Sequence, residues 1–295
     1  MALKNPAIAA VLNVRIGDVS ISLEGDVLKG RCESPFPYEP FFRDGKPDVR
    51  LYLHRGRFDI SGSEKVFECP PIWSLYRQNG RSFLEIFSDM PGLERTLVLR
   101  HSPESADLYF SDTSDRFIDP FFGPTLELLM VHTLARGRGI ILHGCGIAMG
   151  KKGVLFIGES GAGKSTLANL WCKKQGVQVL SDDRIIIRKA GGSFWMHGTP
   201  WHGTARFGFP IGVPVERILF LRHGRKNAVT KVRGIAAAAK LLSCSFPPHW
   251  DASGMAFTLE LLHELVTRHP CGEFSFRPDK SAVDYLIAES DGRST

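Results

Sequence analysis

Gly158, Gly163, Lys164 and Ser165 stand in the spacing G-x-x-x-x-G-K-S/T within "GVLFIGESGAGKSTLANLW", residues 153–171. Glycines let successive backbone N–H groups turn toward one centre with no Cβ in the way, which suits a chain of phosphate oxygens. In that chemistry the cradle is Gly158, Glu159, Ser160, Gly161, Ala162 and Gly163, continued by Ser165 and Thr166. Lys164 reaches the β and γ phosphates and the Ser165 hydroxyl ligates Mg²⁺. The spacing therefore predicts a site for a nucleoside triphosphate with Mg²⁺.

Two acids follow at a short remove, Asp182 and Asp183 at the end of "VQVLSDD". Adjacent residues of an extended chain point to opposite sides, so one carboxylate suits a metal and the other a proton. The alternative for the second is a turn or helix-cap role. His143, in "GIILHGCGIAM", is on its own either a core histidine or a proton-transfer group. His202 and Arg206, in "GTPWHGTARFGFP", are open between contact with an acceptor or γ-phosphate and ordinary loop polarity, and Trp201 packs the loop down. "FLRHGRKN" (220–227) reads as a strand running into a solvated basic turn.

Regular elements must hold these residues. "GVLFIG" is apolar enough for a buried strand, and Leu167, Leu170 and Trp171 fall at i, i+3 and i+4, the spacing of a helix with one buried face. Before the cradle, "TLELLMVHTLARG" predicts a helix closed by Gly137, followed by the strand "GIILHGCGIAM" and the turn "GKKG". After it, "RIIIRK", "AGG" and "SFWMHG" predict a hairpin. "IAAAAKLLSCSF" and "DASGMAFTLELLHELVTRH" read as helices, the second capped by Asp251. "GEFSFR" reads as a strand and the segment after Asp279 as a last helix, none of them given chemistry. Up to about residue 120 the pattern differs. "VRLYLHRGRFDI" and "RTLVLRH" read as half-buried strands, and Asn79-Gly80 in "IWSLYRQNGRSFLEIF" as a tight hairpin turn. Residues 1–120 are thus expected to be a β-rich domain, with support, oligomerisation (including a homo-oligomer) or partner binding as its open roles.

Bulk properties narrow the classes. A chain of 295 residues with 43% hydrophobic and 23% charged residues has the composition of a folded protein. The net charge of +6 is dispersed rather than clustered, which argues against nucleic acid as partner. The six cysteines, at 32, 69, 145, 172, 244 and 271, form no C-x-x-C pair or zinc-like spacing, so reduced thiols in a cytoplasmic protein are expected. The segment "MALKNPAIAAVLNVRIG" is a poor signal peptide, and no stretch approaches the roughly 18 apolar residues of a membrane span, so no membrane association is expected.

The run "LHGCGIAMGKKGVLFIGESGAGKST", followed by "GVQVLSDDRIIIRKAGG", resembles the catalytic domain of HPr kinase/phosphorylase over about residues 125–225. The resemblance implies an α/β fold, a P-loop kinase domain of the HPr kinase and phosphoenolpyruvate carboxykinase-like type, over residues 121–295. It also implies that His143 lies near the reacting phosphate, that Asp182 is the base beside the catalytic Lys164, and that Asp183 joins Ser165 at the metal. The chain departs from the family in two places. Thr166 stands where the family has a glutamate, and the later Glu-x-Arg-Gly-x-Gly signature is missing, with "GTPWHGTARFGFP" in roughly its region. Action on HPr is therefore not expected, and the chain is similar to divergent relatives that modify a serine in a small peptide. The leading expectation is a Mg·ATP-dependent kinase acting on a hydroxyl of a protein or peptide. A nucleotide-binding switch is the alternative, and a carboxykinase-like reaction a third, for which no basic substrate cluster is seen.

Overall fold

A computed structural model describes residues 11–25, 28, 38–87, 95–100, 102, 104–110, 124–290 and 292. The chain is a mixed α/β protein with two β-rich sheets and divides into two compact units, Met1–Arg15 with Val19–Met130, and Ile16–Asp18 with Val131–Thr295. The expected division near residue 120, the amino-terminal segment 1–10 and Cys32 lie outside the described residues.

The first unit is built on one eight-stranded sheet. Its strands are β1 (Val11–Ile16), β2 (Val19–Glu24), β3 (Val49–Arg55), β4 (Glu64–Cys69), β5 (Trp73–Gln78), β6 (Arg81–Ile86), β7 (Arg95–Leu99) and β8 (Ser105–Phe110), in the order β1-β2-β3-β8-β7-β6-β5-β4. Asn79 and Gly80 take φ values of 49° and 74° and join β5 to β6 with Gln78 opposite Arg81, as the dipeptide predicts. Two readings are corrected. The strand in "VRLYLHRGRFDI" stops at Arg55, because Gly56 turns the chain with φ 117°. The "RTLVLRH" strand is buried at every position rather than half-buried, as an inner strand between β6 and β8; even Arg95 is 3% exposed, its guanidinium over the Phe110 ring. The exposed edge strand β4 has no alternating pattern to announce it.

The helix α1 (Thr125–Leu134) begins in the first unit, continues into the second and ends before Gly137, which takes φ 79°. Leu126, Leu128, Leu129, Met130, Val131 and Leu134 are all buried and no residue of the helix is exposed, so apolar residues spread round it rather than along one stripe. The hairpin β9 (Ile140–Met149) and β10 (Lys152–Ile157) turns at Gly150, then comes α2 (Lys164–Trp171). After it run β11 (Val177–Ser181), β12 (Arg184–Ala190) and β13 (Ser193–His197), the last two joined by the positive-φ pair Gly191-Gly192. The long β14 (Gly212–His223) and β15 (Ala228–Lys231) precede the helices α3 (Gly234–Ser243) and α4 (Ala252–Arg268), and β16 (Cys271–Phe276) and α5 (Lys280–Ser290) close the chain. Asp251 caps α4 by accepting from the N–H groups of Ser253 and Gly254.

Two long strands organise this unit. β9 pairs with β12 through its first half and with β10 and β11 through its second, while β14 pairs first with β13 and then with β10 and β16. One core gathers Leu155, Ile185, Met196 and Ile218 with Leu241 of α3 and Leu262 of α4. A second gathers Val154, Phe156 and Phe274 with Trp171 of α2 and Val283 of α5. α2 is thereby clamped by its buried Leu167, Ala168 and Trp171, which places its amino terminus at the end of β10. No helix among the described residues is long and apolar enough to cross a membrane.

Candidate active site

The glycine loop, residues 158–163, leaves the end of β10 and enters α2 directly. Gly161 and Gly163 take φ values of 81° and 97°, backbone that strains other residues, and a Cβ on Gly163 would stand 2.7 Å from Cζ of Phe276. No side chain caps α2. Its first turn thus presents N–H groups and the positive end of the helix dipole to whatever the loop holds. Lys164 is 5% exposed, and its Nζ donates to the carbonyls of Gly158 (2.7 Å) and Glu159 (2.9 Å), closing the loop on itself. Burial pulls its pKa below the usual lysine value, against the opposing pull of the Asp183 carboxylate.

The two aspartates sit in a bend between β11 and β12 rather than on a strand. The ladder on β9 slips by one residue between Val179 and Ser181, after which Ser181 faces Gly146 and Arg184 faces His143. The Ser181 hydroxyl accepts from the N–H groups of Asp183 and Arg184 and shapes the bend. The neighbouring carboxylates diverge in this bend. Asp182, fully buried, faces Ser165, whose Oγ donates to its Oδ2 at 2.7 Å. Asp183 faces His143, with Nε2 3.0 Å from its Oδ1, and is also gripped by Arg184. The expected base is therefore on the Ser165 side and the expected metal ligand on the His143 side, because only the carboxylate turned toward α2 can reach Ser165.

Asp183 titrates below the usual aspartate range. Burial works against this, but the hydrogen bond from His143 and the Arg184 charge outweigh it. The Arg184 guanidinium carbon lies over the Phe246 ring, 4.3 Å from its centre, a contact that helps to hold the charge in place. The motif reading missed Arg184, although a cation immediately after an acid pair was there to be seen.

The "PWHG" loop folds over Asp182. The N–H groups of Gly203, Ala205 and Phe207 donate to its two oxygens at 3.0, 3.0 and 3.3 Å, and Ser181 Oγ donates to the Trp201 carbonyl. A Cβ on Gly203 would stand 2.7 Å from Asp182 Oδ2 and 3.2 Å from Ser165 Oγ, so a side chain there would press on the pair. Arg206 is exposed on a left-handed turn at φ 58°, and His202 Nδ1 contacts the carbonyl of Gly203. The loop's backbone, not its charged side chains, makes the contacts to Asp182. His223, the exposed last residue of β14, has its Nε2 2.7 Å from the Gly161 carbonyl, ahead of the exposed Arg225 and Lys226 of the basic turn.

Among the described residues no three His, Cys, Asp or Glu side chains gather as a metal cage. Ser165 and Asp182 supply hard oxygens, one of them a carboxylate. Mg²⁺ shared with phosphate groups uses such a small protein set, so the pair fits that ion.

No family model and no curated protein matches the chain. Among solved structures it is similar to the Hpr(Ser) kinase/phosphatase from Coxiella burnetii. The sequence identity is 14% and the TM-score 0.32, over 52% of this chain and 97% of that one, a distant likeness.

Proposed function

We propose that the chain is a Mg·ATP-dependent kinase that transfers the γ-phosphate to a hydroxyl, a serine, of a protein or peptide acceptor. The observation that carries this reading is the divergence of two adjacent carboxylates beside a glycine loop, one on Ser165 and the other on His143. A protein that only senses a nucleotide has no use for the second. Mg·ATP would supply the phosphoryl group, and its cation would offset negative charge on the phosphates. Ser165 and Asp182 hold the cation, and Lys164 leaves the carbonyls of its own loop to meet the phosphates. Asp183 takes the proton of the acceptor hydroxyl as the new O–P bond forms and the bond to the β-phosphate oxygen breaks. His143 and Arg184 keep that carboxylate ionised and aimed.

The test is transfer of labelled γ-phosphate from ATP to serine-containing peptides with Mg²⁺ present, against the same mixture with Mg²⁺ chelated. Absence of both transfer and Mg·ATP binding would sink the kinase reading. Lys164→Ala should weaken Mg·ATP binding about tenfold or more, about 1.4 kcal/mol, by calorimetry. An unchanged affinity would remove Lys164 from the site. Gly203→Ala should weaken Mg²⁺-dependent binding by a similar factor while leaving binding of metal-free ATP unaltered, since the atoms nearest its Cβ belong to the Ser165–Asp182 pair. Equal effects with and without Mg²⁺ would contradict this.

A further inference from the structure

The glycine loop has two sides, and the groups assigned above lie on only one. β10 runs between β9 and β14. His143, Asp182 and Asp183 belong to β9 or to the bend beside it. On the β14 side the same loop walls a cavity of about 450 Å³, closed by the end of β14, the end of α3 and Glu273 of β16. The volume is within the range of about 300–1,000 Å³ typical of small-molecule sites.

Its lining is unlike that of a second phosphate site. Ile157, Phe220 and Leu221 supply apolar surface next to the loop, and the polar rim is balanced, with Arg222 and Lys240 offset by Glu273 and Glu159. The Glu273 carboxylate accepts from Arg222 (3.2 Å) and Lys240 (3.1 Å), and both contacts hold it below the usual glutamate pKa. An ionised carboxylate has about four acceptor positions. Two are used here, so capacity remains for donors of a guest.

Resting on the kinase reading, we infer that this cavity receives the nucleoside of the triphosphate, with Glu273 accepting an N–H or O–H group of its sugar or base. The direction of the phosphate chain follows from the two-sided loop. The transferred phosphoryl must end beside Asp183 and His143, on the β9 side, so the other end of the chain leaves the loop toward β14. A near-neutral, partly apolar cavity is what a sugar and base require there, and His223, bonded to Gly161, forms the wall between loop and cavity.

Calorimetry with two probes, Mg·ATP and Mg·tripolyphosphate, on the wild type, Ser243→Trp and Glu273→Ala tests this. Ser243 is exposed at the end of α3 and lines the cavity, so an indole there fills it without entering the core. The expected result is that wild type prefers Mg·ATP to Mg·tripolyphosphate by about tenfold or more. Both variants should lose most of that preference while binding Mg·tripolyphosphate as wild type does, which also shows them folded. Variants that keep the full preference overturn the nucleoside assignment and leave the cradle standing. A wild type that binds neither probe overturns the kinase reading, and this inference with it.

Discussion

Asp183→Asn is expected to lower phosphoryl transfer by about 10²-fold or more while Mg·ATP affinity stays within a few fold, because it removes a proton acceptor and leaves the Ser165–Asp182 side intact. Asparagine is nearly isosteric and still accepts from His143 Nε2, so the geometry survives and the readout is chemical. The carboxylate is well suited to stay ionised: the His143 hydrogen bond and the Arg184 charge hold its pKa low despite burial. The sign of the linked stability effect follows. A group whose folded pKa is depressed stabilises the fold above its unfolded pKa, and that contribution is lost as pH falls through the folded value. Asp183→Asn should therefore lower the melting temperature at neutral pH, and the difference should shrink under acid conditions below the ordinary aspartate range. Wild-type turnover with normal Mg·ATP binding in this variant would make the His143–Asp183 pair structural and give the lead to the nucleotide-switch reading.

Asp182→Asn is the second large effect, and it should act on binding and on stability together. The carboxylate is fully buried and accepts from Ser165 Oγ and from three backbone N–H groups of the loop above it. An amide can offer only one oxygen. Its –NH₂ must then face donors that the second carboxylate oxygen had satisfied, at a cost of roughly 1.5–3 kcal/mol for hydrogen bonds to a charged group. Denaturant unfolding of the ligand-free protein should show that loss, and calorimetry should show that Mg²⁺ no longer improves nucleotide affinity. Asp182→Glu, which restores the charge on a longer arm, should recover less than half of either effect, because the three N–H groups are set for the shorter side chain. A ligand-free stability equal to wild type would mean that the loop is not held by Asp182. Retention of the Mg²⁺ effect would move the cation elsewhere.

The strand, glycine loop and helix were legible because they are local. Gly158, Gly163, Lys164 and Ser165 lie within eight residues, and the strand before them and helix after them carry their own hydrophobic periodicities. Short-range chemistry likewise announced the Asn79-Gly80 hairpin, the Gly191-Gly192 turn and the Asp251 cap. That Asp182 and Asp183 diverge agrees with the alternation expected of an extended chain, although here a bend between β11 and β12 produces it.

Which of the two faces Ser165 was not legible, because it depends on the slip of one residue between Val179 and Ser181 against β9, a property of two strands together. The roles of Gly203 and the "PWHG" loop stayed hidden for the same kind of reason. The loop acts through backbone N–H groups, which every residue but proline has, so no residue type signals it. Lys240 and Glu273 lie 33 positions apart and reach one cavity only because α3 returns along the sheet beside β16. Sequence by itself determined many of the elements and the glycine loop between β10 and α2, whose physics is decided within a few residues. Tertiary structure alone decided which side of the cradle each distant side chain faces, since register and packing belong to pairs of elements and not to either one.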